Sequence, residues 1–116
     1  MIGIDVSHHN YKIDWDKAKA EGVRFAFIRA MFGHSYDTQF DRNWAEAKRV
    51  GIVRSAYGWC LHGFDQKDNA QRFVDRLSDL GELPPVVDFE NSETYGNPTF
   101  AELKRFLNEV GRLSGI

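Results

Sequence analysis

Cysteine is almost absent from this 116-residue chain: Cys60 stands alone. Neither an internal disulfide nor a thiolate cluster can be built from one thiol, and a small buried apolar role is expected for it. No run approaches the roughly 18 apolar residues of a membrane-spanning helix. The opening Met1-Ile2-Gly3-Ile4-Asp5 has no charged segment or cleavage site of a secretory leader. Neither sign of charge dominates, since 15 Lys and Arg stand against 17 Asp and Glu for a net charge of −2. A global basic field for gripping phosphates is therefore excluded, and neither a nucleic acid nor a membrane is an expected partner. Glycine-rich phosphate loops are missing, as are H-x-H and H-E-x-x-H, so no cofactor and no metal is expected. Ser7 lacks the G-x-S-x-G elbow of a serine nucleophile. His8 and His9, read as a continuing strand, would point to opposite faces, and His34 and His62 read as isolated loop residues.

What is present is ordinary globular material, 42% hydrophobic and 28% charged, with a high aromatic share of 14%. Ile2, Ile4 and Val6 alternate as a first strand. Asp14 can cap a helix through Trp15 and Ala18 that stops near Gly22, and Val23 to Ala30 is a second strand, followed by a loop from Met31 to Gln39. Phe40, Trp44, Ala47 and Val50 form a helical stripe ended by Gly51, and Ile52 to Trp59 is a third strand. Asp65 can cap a helix carrying Ala70, Phe73, Val74, Leu77 and Leu80, with Gly81 as its stop. Pro85 to Phe89 is a fourth strand. Thr99 and Glu102 have capping-box spacing ahead of Leu103, Phe106, Leu107, Val110 and Leu113. Strand-helix alternation of this length calls for an α/β fold with a parallel sheet, either doubly wound or part of a β/α barrel, in one domain over residues 1–116.

Both architectures put function at the carboxyl ends of strands. Asp5, Arg29, Tyr57, Trp59, Asp88 and Glu90 all fall there, one group or more from every unit. Asp88 and Glu90 are two apart, so an extended strand sets them on one face. Carboxyls held that close cannot ionise independently, and one keeps its proton beside a charged neighbour. Such a pair suits glycoside hydrolysis, in which an acid protonates the leaving oxygen while negative charge supports an oxocarbenium-like transition state. Polar residues closing a buried strand would look the same locally.

Gly3-Ile4-Asp5-Val6-Ser7-His8-His9, Ile13-Asp14-Trp15, Tyr36-Asp37 with Phe40 and Asn43, Ala56-Tyr57, Ala70-Gln71 with Phe73, and Leu83-Pro84-Pro85-Val86-Val87-Asp88-Phe89-Glu90 together resemble glycoside hydrolase family 25, the Chalaropsis-type lysozymes. The resemblance implies a muramidase that cuts the β-1,4 bond between N-acetylmuramic acid and N-acetylglucosamine in peptidoglycan. It implies Glu90 as a general acid kept protonated by its surroundings, Asp88 as the companion carboxylate and Asp5 as a third catalytic carboxylate. Tyr57, Trp59, Arg29 and His8 are the implied substrate-binding residues. Two loops depart from the family pattern: Arg29-Ala30-Met31-Phe32-Gly33 replaces an acidic rim position by an apolar one, and Tyr57-Gly58-Trp59 replaces an imidazole.

The family fold is a modified β/α barrel of eight strands, and four units make half of it. The expectation is therefore a partial catalytic domain, the first four units of a TIM-like barrel, needing a complementing chain, a missing second half or self-association for closure. The alternative is an inactive half-barrel that binds peptidoglycan or serves as a structural module. Without a leader, delivery to the cell wall by a phage, a virion or another route is implied.

Overall fold

In a computed structural model describing all residues from Met1 to Ile116, the chain forms five strands and four helices. These are β1 (Ile2–Val6), α1 (Trp15–Ala20), β2 (Val23–Phe32), β3 (Ser35–Tyr36), α2 (Phe40–Arg49), β4 (Val53–Trp59), α3 (Gln66–Arg76), β5 (Val86–Asp88) and α4 (Phe100–Ser114), with a 3-10 turn at His8–Asn10. β1, β2, β4 and β5 lie side by side in that order and all parallel, while β3 folds back antiparallel onto the end of β2. Strand order follows chain order. Right-handed crossovers then all step the same way and lay their helices on one face. A doubly wound sheet needs a reversal of direction, and this sheet has none, so the singly wound alternative is the one realised.

The helices begin where the sequence places caps. The Asp14 carboxylate accepts from the Lys17 N–H, Asp65 accepts from the N–H groups of Lys67 and Asp68, and Thr99 and Glu102 close a reciprocal capping box. Seventeen buried apolar residues fill the space between helices and sheet, among them Ala26, Ile28, Ala30, Met31 and Ala56 from the strands and Phe40, Trp44, Phe73 and Phe106 from the helices. Each large member contributes about 1.5–3 kcal/mol by leaving water. The Trp15 indole N–H donates to the Asn43 amide oxygen at 3.1 Å, tying α1 to α2 inside this layer.

Several element boundaries differ from the sequence reading: β4 starts at Val53 and β5 spans only Val86–Asp88, short of Phe89, and the larger differences are these. β2 runs on to Phe32, and β3 occupies part of the expected loop, since the Asp37 N–H donates back to the Ala30 carbonyl. α3 ends at Arg76, leaving Leu77 and Leu80 outside it. The chain must leave the helix there because the buried Arg54 guanidinium takes Asp79 and Glu82 at 3.0 and 2.7 Å, and the Arg54 carbonyl accepts the N–H groups of Glu82 and Leu83. Gly81, at φ 79°, makes that turn rather than ending the helix.

The other face of the sheet carries Gly3, Phe25, Phe27, Val53, Tyr57 and Val86 and no helix. Val53 and Val86 are 38% and 39% exposed. At Gly3 a Cβ would stand 1.9 Å from the Phe25 ring, so that ring lies flat across β1 only because glycine is there. Near the amino-terminal strand ends, Met1, Arg24, Phe25, Gly51, Val53 and Leu83 line an open hollow of about 600 Å³. Parallel sheets are ordinarily covered on both faces. α4 is also half-used: Phe106 packs toward Phe73 with ring centroids 6.1 Å apart, while Phe100 and Leu107, seven residues apart on one side, are 80% and 47% exposed.

Candidate active site

Strand register assembles the carboxyl-end rim. Arg29 pairs with Tyr57, Tyr57 with Val86, and Trp59 with Asp88, and paired residues on neighbouring strands share a face. A register shift between Arg29 and Met31 makes Ala30 an extra residue. Met31 therefore joins the helix-side core at 1% exposure, and Phe32 shares the helix-free side with Arg29 and Trp59.

Asp5, Phe27, Tyr57, Val86, Val87, Asp88 and Phe89 line an open cleft of about 390 Å³. Burial pushes the Asp88 carboxyl up to about 6, helped by a hydrogen bond to Glu90 and by the negative charges of Glu90 and Asp5, with Arg29 pulling the other way. Asp88 is thus the carboxyl whose surroundings favour its proton. Glu90, from which that behaviour was expected, is exposed to solvent at the end of the strand. Tyr57 stands between Asp5 and Asp88, and burial pushes its phenol up to about 12 against the opposing pull of Arg29. The rim holds a paired carboxyl, a third carboxylate and a phenol that stays a hydrogen-bond donor. That set can deliver a proton, support developing positive charge and hold a hydroxyl-rich ligand.

Arg29 and His8 meet one step away, in a second hollow of about 260 Å³ lined with His9, Phe32, Ser35, Tyr36 and Asp37. Arg29 is only 7% exposed. Its Nε donates to the Asp37 carboxylate at 3.1 Å and its Nη2 lies 2.7 Å from His8 Nδ1. The same Nδ1 lies 3.1 Å from the Asp37 carboxylate, so imidazole, guanidinium and carboxylate form one cluster. Asp37, 3% exposed, also accepts the N–H groups of His8 and Gln39 at 2.9 Å. Burial would raise this carboxyl, but the hydrogen bonds from His8, Gln39 and Arg29 hold it below the usual carboxylate range.

Several side chains sit otherwise than the local pattern indicated. Ser7 caps the 3-10 turn through the His9 N–H, and that turn sets the His8 and His9 rings 4.0 Å apart between centroids, not on opposite faces. His62 and His34 are not isolated: His62 Nδ1 is 2.8 Å from Glu102, and His34 Nε2 is 3.3 Å from Asp68. Cys60 is fully buried, with its thiol 3.7 Å from the Gln66 amide oxygen, and burial pushes it up to about 11. Asp37, Phe32 and Glu102 were not among the expected site residues, although each had a signal: Asp37 in Tyr36-Asp37, Phe32 in the loop that departs from the family pattern, and Glu102 in the capping box.

The sequence model of the family described as glycosyl hydrolases family 25 matches residues 4–116. A search of curated proteins found no match. Among solved structures, the lysozyme of Streptomyces coelicolor is 27% identical, with a TM-score of 0.77 over 95% of this chain and 55% of its own. A family 25 glycosyl hydrolase from Bacillus anthracis is 25% identical, with a TM-score of 0.84 over 97% of this chain and 56% of its own. A muramidase from Trichobolus zukalii, 24% identical, shares the fold with a TM-score of 0.81 over 97% of this chain and 60% of its own. The chain thus spans less than two thirds of each of these three structures.

Proposed function

Because the chain belongs to glycosyl hydrolase family 25, we propose that it serves peptidoglycan hydrolysis as a muramidase acting on the β-1,4 bond between N-acetylmuramic acid and N-acetylglucosamine. The observation that carries this reading is the hydrogen-bonded pair of Asp88 and Glu90 at the end of β5, beside Asp5 and Tyr57 on the helix-free face. Burial beside Glu90 and Asp5 pushes the Asp88 carboxyl up to about 6. Glu90 is the pair's solvent-facing member and the one able to reach a leaving oxygen. In the proposed step the proton passes across the hydrogen bond to Glu90 and on to the glycosidic oxygen as the bond to the anomeric carbon breaks. Asp88, left negative, orients the substrate's acetamido group or stabilises the charge that develops. Asp5 adds negative potential from β1, Arg29 sets the charge balance, and Tyr57, Trp59 and His8 contact sugar.

The active form proposed here is a closed barrel. β1 and β5 are open edges of a parallel sheet, the helix-free face is apolar, and Phe100 and Leu107 are unpacked on α4. Further β/α units, on a complementing chain or on a second copy, would cover all of these together and provide the far wall of the cleft.

Purified peptidoglycan incubated with the assembled protein is expected to release muramic-acid reducing ends, and Glu90→Gln is expected to abolish that release. Peptidoglycan binding with equally negligible release by both proteins would sink the enzyme reading and assign a binding module instead.

A further inference from the structure

Four aromatic rings from separate parts of the chain touch one another along the rim beyond the carboxylates. Phe32, at the end of β2, meets Trp59, at the end of β4, edge to face at 4.9 Å, and meets Tyr95 at 5.9 Å. Phe64, in the loop before α3, meets Tyr95 at 5.6 Å. None of the four belongs to the hydrophobic core or packs against it as a partly buried member. Tyr95 is 41% exposed, and the other three are half-buried. The wall begins at the carboxyl pair, because Trp59 is the register partner of Asp88.

Hydrogen bonds hold the two loops of this wall in place. Ser92 and Gly96 exchange backbone hydrogen bonds at 3.2 and 2.8 Å, and the Tyr95 N–H donates to Ser92 Oγ at 3.1 Å, so Tyr95 sits on a closed turn. Glu102 then clasps the Tyr95 loop to the Phe64 loop, accepting the Thr99 N–H at 2.9 Å on one side and the Gly63 N–H at 2.8 Å on the other. These rings pack on one another rather than into the core. Their fixed placement lowers the ordering cost of a ligand that lies against them. An N-acetylhexosamine ring with equatorial substituents has C–H-rich faces that fit flat against an aromatic ring, while its hydroxyl and acetamido edges need polar groups, which the neighbouring carboxyls and Tyr57 offer.

We propose that Phe32, Trp59, Phe64 and Tyr95 form a sugar-binding subsite for an N-acetylhexosamine ring further along the glycan than the ring whose bond is cut, with Tyr95 as its exposed platform. The subsite rests on the muramidase reading and sets preference for glycan length. It acts through binding and takes no part in bond breaking.

Trp15 and Trp44 are 1% and 3% exposed, so half-buried Trp59 is the fluorophore that a ligand on the wall can perturb. Tryptophan fluorescence of the full chain is titrated with N-acetylchitotriose and N-acetylchitohexaose. The expected result is that the hexamer binds about tenfold tighter than the trimer, and that Tyr95→Ala weakens hexamer binding about fivefold while moving the trimer less than about twofold. Tyr95→Phe restores the hexamer affinity, and Tyr11→Ala, at an 80% exposed tyrosine elsewhere, changes nothing. Equal hexamer affinity for wild type and Tyr95→Ala, or trimer and hexamer binding equally to wild type, overturns the subsite and leaves the muramidase reading standing. Failure of wild type to bind either oligomer likewise overturns the subsite, while the muramidase reading is decided by reducing-end release from peptidoglycan.

Discussion

At the scale of single residues, Asp88 opposes folding in order to keep its proton. Its folded pKa of about 6 lies above the ordinary aspartate value of 3.8, so between about pH 4 and 6 the folded chain binds more protons than the unfolded one. Stability therefore falls as pH rises through that window and is then level. Asp88→Asn removes the penalty and is expected to raise Tm by about 2–5 °C at pH 8, with the gain vanishing below about pH 4. Thermal melts of both proteins across pH check this, and parallel profiles would count against it. That Asp88 and Glu90 stand together was legible from their spacing on an extended strand. That the Asp88 carboxyl is pushed up was not legible, because it comes from burial: Asp88 faces the Tyr57 cleft, while Glu90 has already left the strand.

Among the elements, α4 shows what local pattern reveals and what it hides. Its capping box was readable from Thr99 and Glu102, but the same Glu102 carboxylate also takes His62 and the Gly63 N–H, contacts 39 and 40 residues away in sequence. Burial alone would raise this carboxyl. The hydrogen bonds from His62, Thr99 and Gly63 hold it down at about 2. Its stabilising contribution is present above about pH 4.5 and is lost as pH falls toward 2. Glu102→Ala is expected to destabilise the fold by about 1–3 kcal/mol at neutral pH, since the charge-assisted bonds to His62, Gly63 and Thr99 are lost. Urea unfolding should show that gap closing between pH 4.5 and 2, and a gap independent of pH would refute the assignment. The same logic explains the misread boundaries. Helix starts at Asp14, Asp65 and Thr99 depend on neighbours in sequence, whereas the end of α3 depends on Arg54, more than twenty residues away, and β3 on a hairpin that its two residues do not announce.

For the whole molecule, strand order equal to chain order puts every helix on one side and leaves the other side apolar and open. The sequence showed parallel β/α units, and the structure decides between the two ways of winding them. An isolated chain with such a face is expected to bind 8-anilinonaphthalene-1-sulfonate at neutral pH while keeping native near-UV circular dichroism, or to sediment above its 13.4 kDa monomer mass. A monomer with no dye binding would mean that this face is not the apolar surface described. The extra residue in β2 bears on how this rim could be altered. Whether Phe32 faces sugar or core is decided by counting, not by chemistry, because the inserted Ala30 reverses the alternation for everything after it. Pairing Ala30 regularly, with no residue removed, would turn the thioether outward and the ring inward, whereas losing Ala30 would leave Met31 and Phe32 opposite Gly58 and Trp59 and on their present faces. Loop grafts between relatives at this point must therefore preserve the pairing of Phe32 with Trp59 before residue type.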